Sequence, residues 1–279
     1  MISSGWVCSL PYKELFSVME FLRATLKTLF TILATLFLYS SFAIGYLILK
    51  LFSKETGQWR NYWLRKWGQW VCSILSVNVH VEGKKPEPPF FLVSNHLSYV
   101  DIMIFYKLLD TSFVAKAEIK GWPVIGFMAR TLKVIFVDRT RRSDVARVNS
   151  EVAQQIDRHK GVVLFPEGTT SNGDALLPFK ASILDHPATS NMPVHYAYVT
   201  YKTSEKDEPA RESVCWWADA PFGGHFFKFA KNRSVDAYVY FGEDVVESND
   251  RKELAGKLYN RVAALSNSVS KSNQIFQQV

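Results

Sequence analysis

Between Lys27 and Lys50 the chain carries no charged residue. Wound as an α-helix, the stretch from Thr28 to Leu49 is long enough to cross a hydrocarbon core of roughly 30 Å. This feature constrains the fold more than any other. Residues 1–52 are expected to form an N-terminal membrane-anchoring helix, either transmembrane or interfacial. A cleaved signal peptide fits poorly, because the apolar region is long, begins late and has no small-residue cleavage pattern ahead of Lys50. A buried helix of a soluble domain is the other reading, but such helices normally keep a polar face.

The segment GQWRNYWLRKWGQW follows, setting Trp59, Trp63, Trp67 and Trp70 at helical spacing so that the four indoles share one face. Arg60, Arg65 and Lys66 are spread around the remainder. Indoles favour the headgroup zone and cations favour anionic lipid, which predicts an amphipathic helix over residues 53–76 lying in the membrane interface. The same indole face would also suit packing on a folded domain. Five basic residues flank the apolar run on its C-terminal side (Lys50, Lys54, Arg60, Arg65, Lys66) against three on the other (Lys13, Arg23, Lys27). That imbalance places the rest of the chain on the cytoplasmic side.

From Val77 the pattern changes to short β-branched or aromatic runs: NVHVEG, PFFLVSN, TSFVAK, KVIFVDR, GVVLFPEG, VHYAYVTY and SVDAYVYFG. Amphipathic helices stand between them, one with the stripe Val145, Val148, Val152 and Ile156 and with Ser143 as its N-cap, another with Leu254, Leu258, Val262 and Leu265. Strands alternating with helices imply an α/β domain over residues 77–265, a central mixed β-sheet flanked by helices, followed by a polar tail at 266–279. With 48% hydrophobic residues in 279, the chain can fill one core besides the anchor.

The formal charge of +7 suits anionic partners, and charge alone does not choose among nucleic acid, lipid headgroups and phosphorylated small molecules. No nucleic-acid partner is expected, and membrane lipid is, because basic charge alone would not require His96 and Asp101 in the arrangement of the SNHLSYVD motif. Cys8, Cys72 and Cys215 are scattered without a CxxC pair, which predicts no disulfide framework and a reducing, cytosol-facing compartment. The six histidines never fall at i, i+4 spacing, so no metal site is expected.

The sharpest motif is SNHLSYVD, residues 94–101, between a strand-like run and the apolar IMIFYKLL. His96 and Asp101 would point about 140° apart on a continuous helix, so they meet only if His96 lies in the loop and Asp101 on the first helical turn. With Ser98 as N-cap, Asp101 becomes the third helical residue and its carboxylate can turn back toward the loop. Asp101 would then accept the Nδ1 proton of His96 and leave Nε2 as a base, the division of labour of a serine-hydrolase triad with a substrate hydroxyl replacing the serine. A plain capping box beside a loop histidine would read the same locally. In GVVLFPEGTTSNG, Pro166 ends a strand, Gly168 admits close backbone approach, and Glu167 stands at the strand's C-terminal end, where α/β sheets place their sites. In VIFVDRTRRSD, Arg139, Arg141 and Arg142 leave a strand just ahead of a helix N-terminus, a suitable place for a phosphate.

Together these blocks resemble the glycerolipid acyltransferases, the family that includes lysophosphatidic acid acyltransferase. NHLSYVD is similar to its NHxxxxD block, FVDR to its second, FPEGT to its third, and the MPV of Met192 to Val194 to its proline-containing fourth. The resemblance covers residues 77–245. It implies that His96 is the base and Asp101 its orienting partner, that Arg139 binds the acceptor phosphate, and that Glu167 and Gly168 shape the acceptor site. Asn95 and Thr169 stand inside the matched blocks as further substrate-binding residues. Lys116 matches a lysine that helps stabilise the thioester oxyanion. The implied reaction moves a fatty acyl chain from acyl-CoA or acyl carrier protein, as co-substrate and with no cofactor, onto the hydroxyl of lysophosphatidic acid.

Two positions depart from the family pattern: Lys133 where the second block opens with glycine, and Thr170 where the third continues with arginine. They leave the acceptor open between lysophosphatidic acid and another lysolipid such as lyso-ornithine lipid, which FPEGTTSNG, LLPFK and VCWWADAPFGGH resemble. Lys180 or Lys133 would be available to replace the phosphate contact. Hydrolysis of the thioester by water, and a basic lipid-binding protein without chemistry, are the rival functions.

Overall fold

The computed structural model describes residues 12–276 except 123–124 and 139–141. Its helices are α1 (Tyr12–Leu51), α2 (Gly57–Ile74), α3 (Val100–Leu108), α4 (Ile125–Thr131), α5 (Arg142–Gln155), α6 (Asp185–Thr189), α7 (Ala210–Ser213), α8 (Phe222–Ala230) and α9 (Arg251–Phe276). The strands are β1 (Val77–Glu82), β2 (Phe91–Ser94), β3 (Thr111–Lys116), β4 (Ile135–Val137), β5 (Gly161–Leu164), β6 (Val194–Thr203) and β7 (Val235–Phe241). They form one sheet in the order β1-β7-β6-β2-β5-β3-β4, mixed as expected: β6 and β7 are antiparallel, while every other neighbouring pair is parallel. Each predicted strand segment overlaps one of these strands; β1 begins one residue earlier than NVHVEG and β6 ends two residues beyond VHYAYVTY.

Alternation along the central strands divides the core between the two sheet faces. Leu92 and Val163 pack on one side with Leu64, Val71 and Cys72 of α2, Ile104 and Phe105 of α3, and Phe229 of α8. Phe91, Val93, Val162 and Leu164 pack on the other with Val148 and Val152 of α5 and Leu254, Leu258 and Val262 of α9. β2 and β5 are buried at every position, as parallel strands covered on both faces must be.

Two expected boundaries move. Ser143 lies inside α5, which starts at Arg142, so it is not the N-cap. The polar stretch from Ser266 continues α9 to Phe276, because a helix already held by packed leucines extends through residues that only tolerate it.

α1 has 40 residues and runs about 60 Å, with one segment, Phe16–Leu51, long and apolar enough to cross a membrane. It docks along its length. Arg23 Nη1 donates to Lys231 O at 2.7 Å, and Lys27 Nζ to Leu75 O at 3.0 Å and Asn232 O at 2.8 Å. Farther along, Trp67 Nε1 donates to Thr35 Oγ1 and Trp59 Nε1 to Phe42 O, both at 3.0 Å, and Trp70 stacks on Phe37. Trp59, Trp67 and Trp70 of α2 therefore meet α1, the packing alternative for the indole face, while Trp70 remains 45% exposed. The opposite face of α2 joins the core, and Arg60 is buried with Nη2 donating to Asn61 Oδ1. Residues 53–76 thus pack as part of the folded domain. What remains open on α1 is an apolar stripe that includes Leu22, Leu26, Phe30, Leu33, Ile44 and Ile48.

Candidate active site

Because β2, β5, β3 and β4 are parallel, the residues that follow them emerge along one edge of the sheet. β2 delivers His96, β5 delivers Glu167, Lys116 ends β3, and Arg139 follows β4 by two residues. Arg139 itself lies outside the described residues, as does Arg141.

The loop between Ser94 and Val100 brings His96 and Asp101 together as the spacing predicts. His96 Nδ1 lies 2.7 Å from Asp101 Oδ2. A carboxylate only accepts, so Nδ1 carries the proton and Nε2 is left as the base. The same Oδ2 accepts the backbone N–H of Leu97 at 2.8 Å and of Ser98 at 3.0 Å. Here the capping expectation needs correction. α3 begins at Val100 with Tyr99 as N-cap and no side-chain capping bond, and the Ser98 hydroxyl has no partner among the described residues. The cap runs in reverse: Asp101 reaches back to the loop amides, since a fully buried carboxylate needs several donors. One hydrogen-bond set therefore caps the helix and orients the imidazole.

Phe165 fixes the remaining freedom of the ring. It stacks on His96 with centroids 4.0 Å apart and planes 9° from parallel. Ser171 N donates to His96 O at 3.0 Å, tying the catalytic loop to the loop after β5.

Glu167 is 3% exposed; its Oε1 accepts His96 N–H at 3.3 Å, and its Oε2 has no partner among the described residues. Burial, with the nearby Asp101 charge adding to it, pushes its carboxyl up to about 8. At neutral pH Glu167 is protonated and can donate a hydrogen bond toward the acceptor. A carboxyl raised in the fold stabilises the folded state fully below its ordinary value of 4.5, and this contribution is lost as pH rises through about 8. Glu167→Gln is therefore expected to flatten the decline of the unfolding temperature between pH 5 and pH 8, and to be more stable than the parent at pH 8. Parallel melting curves for the two proteins across that range would contradict it.

Gly168 adopts φ +72, and a Cβ there would meet Lys180 Nζ at 2.8 Å, so glycine is needed both for the turn and for the lysine lying over it. Thr169 is exposed on the same turn. Lys116 is exposed at the end of β3. Asn95 belongs elsewhere: its Nδ2 donates to Val199 O at 2.9 Å and its Oδ1 accepts Val199 N–H at 2.7 Å. With both amide atoms pairing β6 and 2% exposure, Asn95 extends the sheet beyond the last β2–β6 pair. Lys133 also leaves the list of phosphate contacts. It precedes β4, at the opposite end of the strands from His96, and takes φ +59, a left-handed conformation that explains why glycine suits this position. Of the two candidate replacements only Lys180 is at the catalytic edge.

Phe165 and Tyr201, whose hydroxyl donates to Asp101 Oδ1, were not singled out by sequence reasoning. Phe165 was visible as the first residue of FPEGT. Tyr201 carries no local signal, being a tyrosine on an alternating strand.

A profile of the Acyltransferase family matches residues 76–196, a span that contains the dyad and Glu167. The chain is 32% identical over 238 residues to the lyso-ornithine lipid O-acyltransferase of Brucella abortus, covering 81% of this chain and 89% of that protein. It belongs to the acyltransferase family. The enzyme is also 30% identical over 210 residues to the 1-acyl-sn-glycerol-3-phosphate acyltransferase of Neisseria meningitidis, across 74% of this chain and 81% of the other. Its fold is like that of the 1-acyl-sn-glycerophosphate acyltransferase of Thermotoga maritima, with a TM-score of 0.55 at 20% identity, covering 86% of this chain and 98% of that one. The acyltransferase is thus an O-acyltransferase of the lysophosphatidic acid acyltransferase type, acting on a lysolipid.

Proposed function

We propose that the enzyme transfers a fatty acyl chain from acyl-CoA or acyl carrier protein to the free hydroxyl of lysophosphatidic acid. The observation that carries this reading is the His96 Nδ1 to Asp101 Oδ2 bond, set at an edge where Lys116 and Lys180 supply positive charge. Neutral His96 removes the hydroxyl proton through Nε2 as the oxygen attacks the thioester carbonyl. Asp101 stabilises the imidazolium that results, and collapse of the tetrahedral intermediate expels the thiolate, which takes the proton back. Phe165 holds the ring plane throughout, and protonated Glu167 is placed to donate to the acceptor.

Anchoring supports a lipid substrate. Because α1 meets the catalytic domain at Arg23 and Lys27 as well as beside Trp59, both ends of its apolar run lie on one body. This favours a helix lying along the membrane with its open stripe in lipid and residues 1–52 as the anchor; the excess of basic residues after the apolar run is what favours the cytoplasmic side for the catalytic domain. Acceptor and product then stay in the layer beside the site.

A second reading, lyso-ornithine lipid as acceptor, draws on Thr170 standing where an arginine is common and on the likeness to the Brucella enzyme. An acceptor panel decides. With lysophosphatidic acid, lyso-ornithine lipid and lysophosphatidylcholine offered to purified enzyme, with acyl-CoA and acyl carrier protein as donors, we expect the phosphate acceptor to be esterified fastest. Lys180→Ala should raise its KM about tenfold, as expected for loss of a charged hydrogen bond. Faster turnover of lyso-ornithine lipid would overturn the first reading, and free fatty acid released as fast as ester forms would overturn both.

A further inference from the structure

Asp101 is held on both carboxylate oxygens. Oδ2 faces His96 and the loop amides, whereas Oδ1 accepts the hydroxyl of Tyr201, a residue 100 positions away on β6. The topology explains how it gets there. β2 stops pairing with β6 at Ser94 opposite Ala197, but β6 runs on to Thr203 and leaves that side of the strand facing the catalytic loop and α3. Asn95 clips Val199 there, and alternation brings Tyr201 onto the same face as Ala197 and Val199, among the core residues around α3. Tyr201 is 9% exposed and Asp101 fully buried, so their bond is shielded from water. Tyr201 lies beyond residues 76–196, the span that matches the family profile.

We propose that Tyr201 is a positioning residue of the catalytic dyad: its hydroxyl anchors the Asp101 carboxylate with Oδ2 aimed at His96 and moderates how strongly Asp101 stabilises the imidazolium. This rests on the reading of His96 as the transfer base. A carboxylate that already accepts one strong bond on Oδ1 is a weaker base toward the ring on Oδ2. The groups facing the trio are few. Cys72 of α2 and Cys215 ahead of α8 are thiols that burial pushes up to about 11 and about 12, so both are neutral, and Tyr201 itself is driven well above the usual tyrosine range and stays a donor. Glu167, raised to about 8, is the remaining group that titrates near neutrality. Asp174, Arg211 and Glu212 act on Cys215 from the rim.

Tyr201→Phe removes the hydroxyl and keeps the packing. We expect kcat for acyl transfer to fall about tenfold with both KM values unchanged, and the acid limb of the pH profile to move to higher pH, because the released carboxylate holds the protonated ring more strongly. The His96 ring resonance, assigned by comparison with His96→Gln, should titrate at higher pH by the same amount. That titration needs no substrate, so it tests Tyr201 even if the acceptor reading fails, and wild-type turnover tests the acceptor reading separately. An unmoved or downward-shifted titration, with or without a lower kcat, overturns the proposal. Should Tyr201→Phe not fold, 3,5-difluorotyrosine at this position is a stronger donor and should move the titration to lower pH. No movement there would overturn it equally.

Discussion

Replacing His96 with alanine is expected to lower acyl transfer by about three orders of magnitude, within the range that general-base catalysis supplies. The fold should survive. The His96 side chain is 17% exposed, makes one hydrogen bond and stacks on one ring, so its loss costs about 1–2 kcal/mol of stability. Asp101 would keep the amides of Leu97 and Ser98 and the Tyr201 hydroxyl, so the cap at the start of α3 stays in place. Initial rates of ester formation, beside a thermal melt, check both halves. A variant that folds and still esterifies lysolipid within tenfold of the parent would remove His96 from the mechanism, leaving a site that only orients its substrates.

Asp101→Asn should be as damaging to turnover and considerably worse for stability. The carboxylate accepts from four donors, His96 Nδ1, Leu97 N, Ser98 N and Tyr201 Oη. Asparagine offers one accepting oxygen, and its NH2 group turns either toward the three N–H donors or toward the Tyr201 hydroxyl, which can accept but then loses the partner of its own proton. At least one or two buried donors are left unpaired at about 1–3 kcal/mol each, so the melting temperature should fall by several degrees. The imidazole also loses its reason to keep the proton on Nδ1, and the comparable substitution in the serine-protease triad costs about four orders of magnitude in kcat. We expect a loss of about three to four orders here. His96→Ala and Asp101→Asn should therefore differ in a melt while agreeing in an assay. If Asp101→Asn melted with the parent, the reverse cap would be wrong; if it retained activity, the orienting role would be.

Much of this site could be read from the chain because its chemistry is local. His96 and Asp101 share one loop and one helical turn, so their spacing alone restricts how they can meet. Glu167 stands between Pro166, whose ring ends the strand, and Gly168, whose freedom at positive φ admits the turn, wherever the strand goes. The strand segments were legible because each is a short β-branched or aromatic run, and the long apolar helix because charge is absent for the whole length of Thr28 to Leu49. Where local reading went astray, a distant partner was responsible. Asn95 lies in the motif but its amide is taken by Val199, 104 residues on. Lys133 lies near the second block in sequence but at the far end of β4 in space. On α2, Trp59 and Trp67 suited lipid by chemistry and turn their indole N–H groups to α1.

The dyad itself shows the division. Sequence alone limited how a histidine and an aspartate could meet at the start of a helix, and with it which ring nitrogen would remain free as a base, because loop and turn geometry act over a few residues. Only the tertiary structure decided what holds the aspartate and the ring in place. Sheet order puts both β6 and β5 beside β2, and this brings Tyr201 to Oδ1 and Phe165 to the imidazole face. No periodicity or motif encodes strand order. It is set by how the whole core packs, through contacts between residues far apart in the chain.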